Sequence, residues 1–368
     1  MMSNGATTGT DSGSAQEGMA DSDTDSDTDT EGHEHKHEHE HDEAGPPGRD
    51  GLPDLPGSAD LYNRWEVRQW SVAGLDVARD RRRFAELKPF ARREILSALA
   101  ELEIGESCVT RTLSALVDHA PDEADRLYLC TQLADEARHV RFFQSYLSDV
   151  AGIGADQLEP HGTMGGESGF GVVFDPLLRS QTGNVRIRPD DRRVWHVAVV
   201  SYHLVAEGLL AVAGLRALRA LAKTCELTAL SQGLANVVRD EARHVTFGLA
   251  ATRRGARSGY AEAIGQAYLD GLDAATRVLV NPARRAASPV MPTALGAYAG
   301  NLAAQWSAAR ARMRRHVEVV GLAALEAPAE LRWSSGFGVA LAEYRERWGA
   351  EHPVARARRL GLVRPVTD

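Results

Sequence analysis

From about residue 61 to residue 348, apolar side chains recur every three or four positions, the repeat of a helix with one buried face. Four long runs carry it most clearly, at about 89–115, 122–150, 193–221 and 227–258. Strict apolar–polar alternation is nearly absent, so the pattern predicts an all-α bundle rather than a sheet. The repeat breaks twice. Residues 152–189 hold GTMGGESGFG and read as a long loop or lid, and residues 281–292 form a second break. Before residue 59 there is no periodicity: glycine, serine, threonine and aspartate give way to SDTDSDTDT, GHEHKHEHEHDE and a Gly/Pro-rich linker. Such a segment has too little apolar surface to offset the entropy of ordering it. The chain therefore divides into a disordered acidic tail (1–58), a helical domain (59–348) and a short C-terminal tail (349–368).

Charge sharpens that division. The net charge is −9, yet residues 1–60 hold 16 acidic and 2 basic side chains, a balance of −14, which leaves the remainder at +5. The folded part is mildly basic without a basic stripe interleaved with aromatics, so nucleic acid is not an expected partner. Three cysteines, Cys108, Cys130 and Cys225, show no paired spacing, and the polar acidic start is unlike a secretory leader. These features predict reduced thiols and a cytoplasmic protein, and no apolar run is expected to approach the length of a membrane span. In the tail, His33, His35, His37, His39 and His41 alternate with charged residues. They are equally readable as a chelator of late transition metals or as part of a solvated charged segment.

The chemistry lies in two copies of one phrase, Asp135-Glu136-Ala137-Arg138-His139 and Asp240-Glu241-Ala242-Arg243-His244. Glutamate and histidine at i and i+3 share one helix face. Each copy follows a lone glutamate in an apolar run: Glu106 precedes Glu136, and Glu207 precedes Glu241, with nearly matching spacings. Two antiparallel arms of about four turns each return the chain to the same depth over such a spacing, so each lone glutamate can face its Glu-x-x-His. Glu101 and Glu103 compete for the first position; the parallel with the second hairpin favours Glu106. Four glutamates and two histidines from four helices match the ligand set of a dimetal site in a ferritin-like four-helix bundle, here with additional flanking helices.

Four carboxylates balance two divalent ions, so the loaded site is neutral inside a low-dielectric core. Oxygen-rich ligation with one imidazole per ion suits iron and manganese. The absence of thiolates argues against structural zinc or an iron–sulfur cluster. Asp135 and Asp240 are candidates to hydrogen-bond a ligand histidine. Arg138 and Arg243 read as outward salt-bridge partners.

On the stretches RWEVRQWSVAGLDVARD, GESCVT, YLCTQLADEARH, SYHLVAEG and RDEARHVTFG, the chain resembles the small subunit of ribonucleotide reductase over about residues 64–255. It resembles more closely that subunit's relatives, the ligand-binding oxidases. The resemblance implies a manganese/iron or two-iron cofactor, with Glu106, Glu136 and His139 on one ion and Glu207, Glu241 and His244 on the other. It also implies dioxygen as co-substrate, a bound long-chain fatty acid or similar apolar ligand, a homodimer, and a covalent bond between Val109 and Tyr202. Two features disfavour the reductase subunit: Phe143 stands where its radical tyrosine usually lies, and residues 345–368 contain no tyrosine. The same ligand set would also serve a biosynthetic oxygenase acting on an amine or a carrier-bound acyl chain, or a non-enzymatic metal store.

Overall fold

The computed structural model describes residues 52–154, 168–286 and 290–363, all within the compact unit Ala44–Asp368. The tail expected to be disordered lies outside the described residues up to position 51. Twelve α-helices make up the described part, with no β-strand among the described residues. They are α1 (Ser58–Val67), α2 (Arg81–Glu86), α3 (Pro89–Asp118), α4 (Glu123–Ala151), α5 (Asp175–Ile187) and α6 (Arg192–Val199). There follow α7 (Val212–Thr224), α8 (Thr228–Gly255), α9 (Ala261–Val280), α10 (Pro292–Val320), α11 (Glu326–Trp348) and α12 (Pro353–Arg359). A π-helical stretch, Val200–Ala211, joins α6 to α7 into one rod.

Local chemistry sets the ends of the long helices. Pro89 opens α3, where its missing N–H costs nothing. The Asp122 side chain caps α4 by accepting from the Asp125 N–H at 2.8 Å. Glu123 and Asp125 in the first turn favour the positive helix start. Gly152 ends α4 in the left-handed region that glycine adopts without strain. There the Ile153 N–H closes back on the Leu147 carbonyl at 3.0 Å.

The four central rods are α3, α4, α6–α7 and α8, packed as two hairpins, α3 with α4 and α7 with α8. Their buried stripes feed two separate apolar clusters. On α3, Ile95 and Leu99 join Phe142, Phe143 and Leu234 in one; Val109 and Leu113 join Tyr128, Tyr202 and Phe247 in the other. Every rod passes from one cluster to the other, and it does so at or near the predicted ligands. Glu106 lies between Leu99 and Val109, Glu136 and His139 between Leu129 and Phe142, Glu207 between Leu204 and Leu215, and Glu241 and His244 between Val237 and Phe247. The carboxylates thus form a polar layer between two dry ones. Close approach is required at Gly248, where a Cβ would lie 2.2 Å from the Cβ of His203. No rotamer change can move that atom away.

Two boundaries and one reading of apolarity differ from the sequence reading. Residues 152–189 are not a continuous loop: positions 155–167 lie outside the described residues, but a π turn at Phe170–Phe174 leads directly into α5. Phe170, Phe174, Leu178 and Val185 bury one side of this stretch, a helical stripe hidden in sequence by the preceding glycines. The chain does not become a tail at residue 349, because α12 packs on α10 with Val354 and Ala357 fully buried. One run, Arg192–Thr224, does reach membrane-spanning length and apolarity, with mean hydropathy 1.7 over an 18-residue window. Of that window 83% is buried within the protein, as expected of a core rod.

Buried neutral histidines predict acid sensitivity. Burial holds His316 down to about 3 and His196 and His352 down to about 4. The unfolded chain binds these protons near pH 6.5, so their contribution is complete above that value and is lost as pH falls toward 4. Each group costs about 1.4 kcal/mol per pH unit over that window. Denaturant unfolding at pH 7 and pH 5 should show a clear loss of stability at the lower value. Equal midpoints would contradict the neutral burial of these rings.

Candidate metal centre

The structure gathers all six predicted ligands at the polar layer. One ligand atom each from Glu106, Glu136, His139 and Glu241 lie within 4.8 Å of one another, and Glu136, Glu207 and His244 form a second such group. His139 Nδ1 is 3.5 Å from Glu106 Oε2, 3.5 Å from Glu136 Oε2 and 3.4 Å from Glu241 Oε1. His244 Nδ1 is 3.2 Å from Glu136 Oε1, 3.7 Å from Glu207 Oε1 and 3.6 Å from Glu241 Oε2. Glu136 and Glu241 each turn one oxygen toward each histidine. They therefore span both positions, whereas the sequence reading assigned each to a single ion. Glu101 and Glu103 are engaged elsewhere: Glu101 accepts from Ser168 and the Phe170 N–H, and Glu103 from Gln144.

Buried polar atoms are normally paired. Here Glu106 Oε1, Glu136 Oε2, Glu207 Oε2, Glu241 Oε2, His139 Nδ1 and His244 Nδ1 are all buried without a hydrogen-bond partner among the described residues. Each of the six residues thus contributes one such atom to a shared space. Orphaned donors of this kind, four carboxylates and two imidazoles, fit a pair of divalent ions.

Protonation follows the crowding. Burial pushes Glu106 and Glu207 well above the carboxylate range; for Glu207 its neighbours Glu241 and Glu136 add to the effect, whereas His139 counters it for Glu106. For His244 burial opposes charge, but Glu136 and Glu241 outweigh it and hold the ring up to about 10. His139 is likewise raised against its burial, with Glu106 as the main carboxylate beside it. Burial opposes charge on Glu241 too, but His244 and His139 together outweigh it and hold Glu241 down to about 2.

The histidines are aimed by a crossed arrangement. His139 Nε2 lies 3.3 Å from Asp240 Oδ2, and His244 Nε2 lies 3.2 Å from Asp135 Oδ2. A carboxylate only accepts, so each Nε2 carries a hydrogen, and once the ring gives up its second proton it is Nδ1 that offers a lone pair on the glutamate side. Each motif's aspartate serves the other motif's histidine. Trp65 Nε1 donates to Asp135 at 2.9 Å and Trp70 Nε1 to Asp240 at 2.6 Å. Arg243 Nη2 donates to Asp135 at 2.9 Å and to Asp240 at 2.8 Å, and Arg138 contacts the same pair. Both arginines therefore point inward, contrary to the expectation of surface salt bridges, and two guanidinium groups offset two buried aspartates.

Sequence reasoning missed Gln132 and His203. Gln132 Nε2 donates to Glu207 at 2.8 Å, and its amide oxygen accepts from His203 Nε2 at 3.0 Å. Burial, with the nearby His244, holds His203 down to about 3, so it stays a neutral donor. The available signal was position: Gln132 precedes Glu136 by one helical turn on the same face.

Val109 and Tyr202 are both buried in the apolar cluster next to the carboxylates. The Tyr202 hydroxyl has no hydrogen-bond partner among the described residues. Burial raises its pKa, and all four glutamates raise it further. Val109 also lines a cavity of about 280 Å³ that reaches Glu106, Glu207 and Glu241 and is walled there by Phe170 and Leu210.

No known family's sequence profile matches the chain. Solved structures do. A variant of an R2-like ligand-binding oxidase with aerobically reconstituted Mn/Fe cofactor superposes with a TM-score of 0.54 at 21% identity, covering 79% of this chain and 91% of that one. A second variant, with anaerobically reconstituted Mn/Fe cofactor, gives 0.55 at 20% identity over 76% and 92%. The chain thus has the ferritin-like helical fold of the R2-like ligand-binding oxidases.

Proposed function

We propose that this protein is a dioxygen-activating dimetal oxidase holding manganese and iron, or two irons, between Glu106, Glu136, His139, Glu207, Glu241 and His244. The observation that carries the reading is the convergence of six buried, unpartnered donor atoms, two of them on glutamates that face both positions. When bound, such an ion pair supplies the redox chemistry by which dioxygen takes two electrons from a C–H bond. The chain's own residues do the rest. Asp135 and Asp240 fix the imidazoles, Gln132 orients Glu207, and the two apolar clusters exclude water above and below the polar layer.

Two substrates are open to that oxidation, with dioxygen as the electron acceptor. Val109 and Tyr202 form an internal pair whose C–H and O–H hydrogens are lost as a carbon–oxygen bond forms. The cavity beside Glu106 takes an apolar small molecule, for which a fatty acid is the simplest candidate. Intact and peptide mass spectrometry after aerobic loading with manganese and iron tests the first part. The linked Val109–Tyr202 peptides should appear two hydrogens lighter, and Tyr202→Phe should abolish the product. Unlinked Tyr202 in fully loaded, oxygen-exposed protein would exclude the crosslink. A homodimer in the cytoplasm belongs to the same proposal. A single dimer-sized species in solution supports it, and a cage-sized assembly would favour metal storage instead.

A further inference from the structure

The cavity beside the carboxylates follows the seam between two of the central rods. Glu106 and Glu207 bound it at the metal centre, and its lining then runs back along α3 to Glu94 and forward along α7 to Leu221. The two rods are antiparallel here, so Leu102 of α3 stands opposite Gly214 of α7, and both line the cavity. Along the axis of α3, at roughly 1.5 Å per residue, Leu102 is about 6 Å from Glu106, and Glu94 is about 18 Å from it.

Glycine inside a helix weakens it. At Gly233 close packing demands it, because a Cβ would lie 2.1 Å from Phe142 Cζ. Packing makes no such demand at Gly214, which sits within α7. A Cβ there would meet Leu102 Cδ2 at 3.5 Å, an ordinary contact, and beyond its chain neighbours no other side chain within 4 Å. What a longer side chain at this position would fill is the cavity itself, where it passes between Leu102 and Gly214.

We infer that Gly214 sets the length of chain this protein accepts, by leaving open the passage from the metal-centre half of the cavity into its outer half. The ligand is then an unbranched alkanoic acid extended along the α3–α7 seam, which rests on the proposed binding of an apolar carboxylate beside the ions. An extended chain advances about 1.2 Å per bond, since three backbone bonds span roughly 3.3–3.6 Å. A carboxylate held at the ions therefore reaches the crossing after about six to eight carbons and the level of Glu94 after about sixteen.

Isothermal titration of octanoic and dodecanoic acids into the full-length, metal-loaded protein under anaerobic conditions tests this. Dodecanoic acid places four more methylenes beyond the crossing and should bind about a hundredfold tighter, at roughly three- to fourfold per buried methylene. Gly214→Leu, which also favours the helix, should cut that preference to less than about threefold. Adding Leu102→Ala to it should restore most of the preference, a rescue that loosened packing alone would not give. Equal binding of the two acids by the unmodified protein would overturn the inference without any variant having to fold. A hundredfold preference persisting in Gly214→Leu would overturn the assignment to that residue. If neither acid binds, the apolar-carboxylate reading itself fails and this one with it. The two failures are distinguishable because only the second leaves octanoic acid unbound.

Discussion

Glu136→Ala is expected to empty both ion positions, whereas Glu106→Ala is expected to empty one. Glu136 presents Oε2 to His139 at 3.5 Å and Oε1 to His244 at 3.2 Å, while Glu106 lies against His139 alone. Removing the shared carboxylate also leaves two divalent ions facing three buried negative charges, and uncompensated charge in a dry interior is strongly unfavourable. Metal analysis after buffer exchange should give about two ions per chain for the unmodified protein, about one for Glu106→Ala and well below one for Glu136→Ala. Glu136→Gln keeps the side-chain shape and should behave like the alanine variant. Two tightly held ions in either Glu136 variant would refute the shared role.

Removing the metal should weaken the fold substantially. An ion present at about 1,000 times its Kd stabilises the native state by about 4 kcal/mol, so two ions supply on the order of 8 kcal/mol. For a chain of this size each kcal/mol shifts Tm by about 2–4 °C, so chelation should lower Tm by more than about 10 °C. The emptied layer has four carboxylates in close contact, and protons take the place of the ions. The raised pKa of His244, up to about 10, means that its pairing with Glu136 and Glu241 is complete below pH 6.5 and fades only as pH rises through 10. Loading at neutral pH must therefore expel protons from the imidazoles, and metal affinity should fall as pH falls. Titrations in buffers of different ionisation enthalpy measure that release. An unchanged Tm after complete chelation, or loading without proton release, would contradict the arrangement.

The ligands were legible because the chemistry left a local trace. Glu-x-x-His occurs twice, each time in an apolar stripe and each time one helix hairpin downstream of a glutamate in another such stripe. Helix boundaries followed from proline, glycine and capping aspartate near the chain breaks. What surrounds the ligands was less legible. Arg138 and Arg243 each follow an aspartate at the i+3 position, which in sequence looks like any exposed helix pair. Only the crossing of two hairpins buries them, and nothing local records that crossing. The exchange of aspartates between motifs was hidden for the same reason. Residues 170–187 were lost to a different effect: the glycine-rich stretch before them outweighed a clear helical stripe of Phe170, Phe174, Leu178 and Val185.

The exchanged aspartates bear on how the two halves depend on one another. A hairpin of α3 and α4 standing alone would own three metal ligands but not the carboxylate that aims its imidazole, because Asp240 belongs to the other half. The reverse holds for α7 and α8, whose histidine relies on Asp135. Neither half carries both an imidazole and the carboxylate that aims it, so gripping an ion with an oriented ring takes both hairpins together.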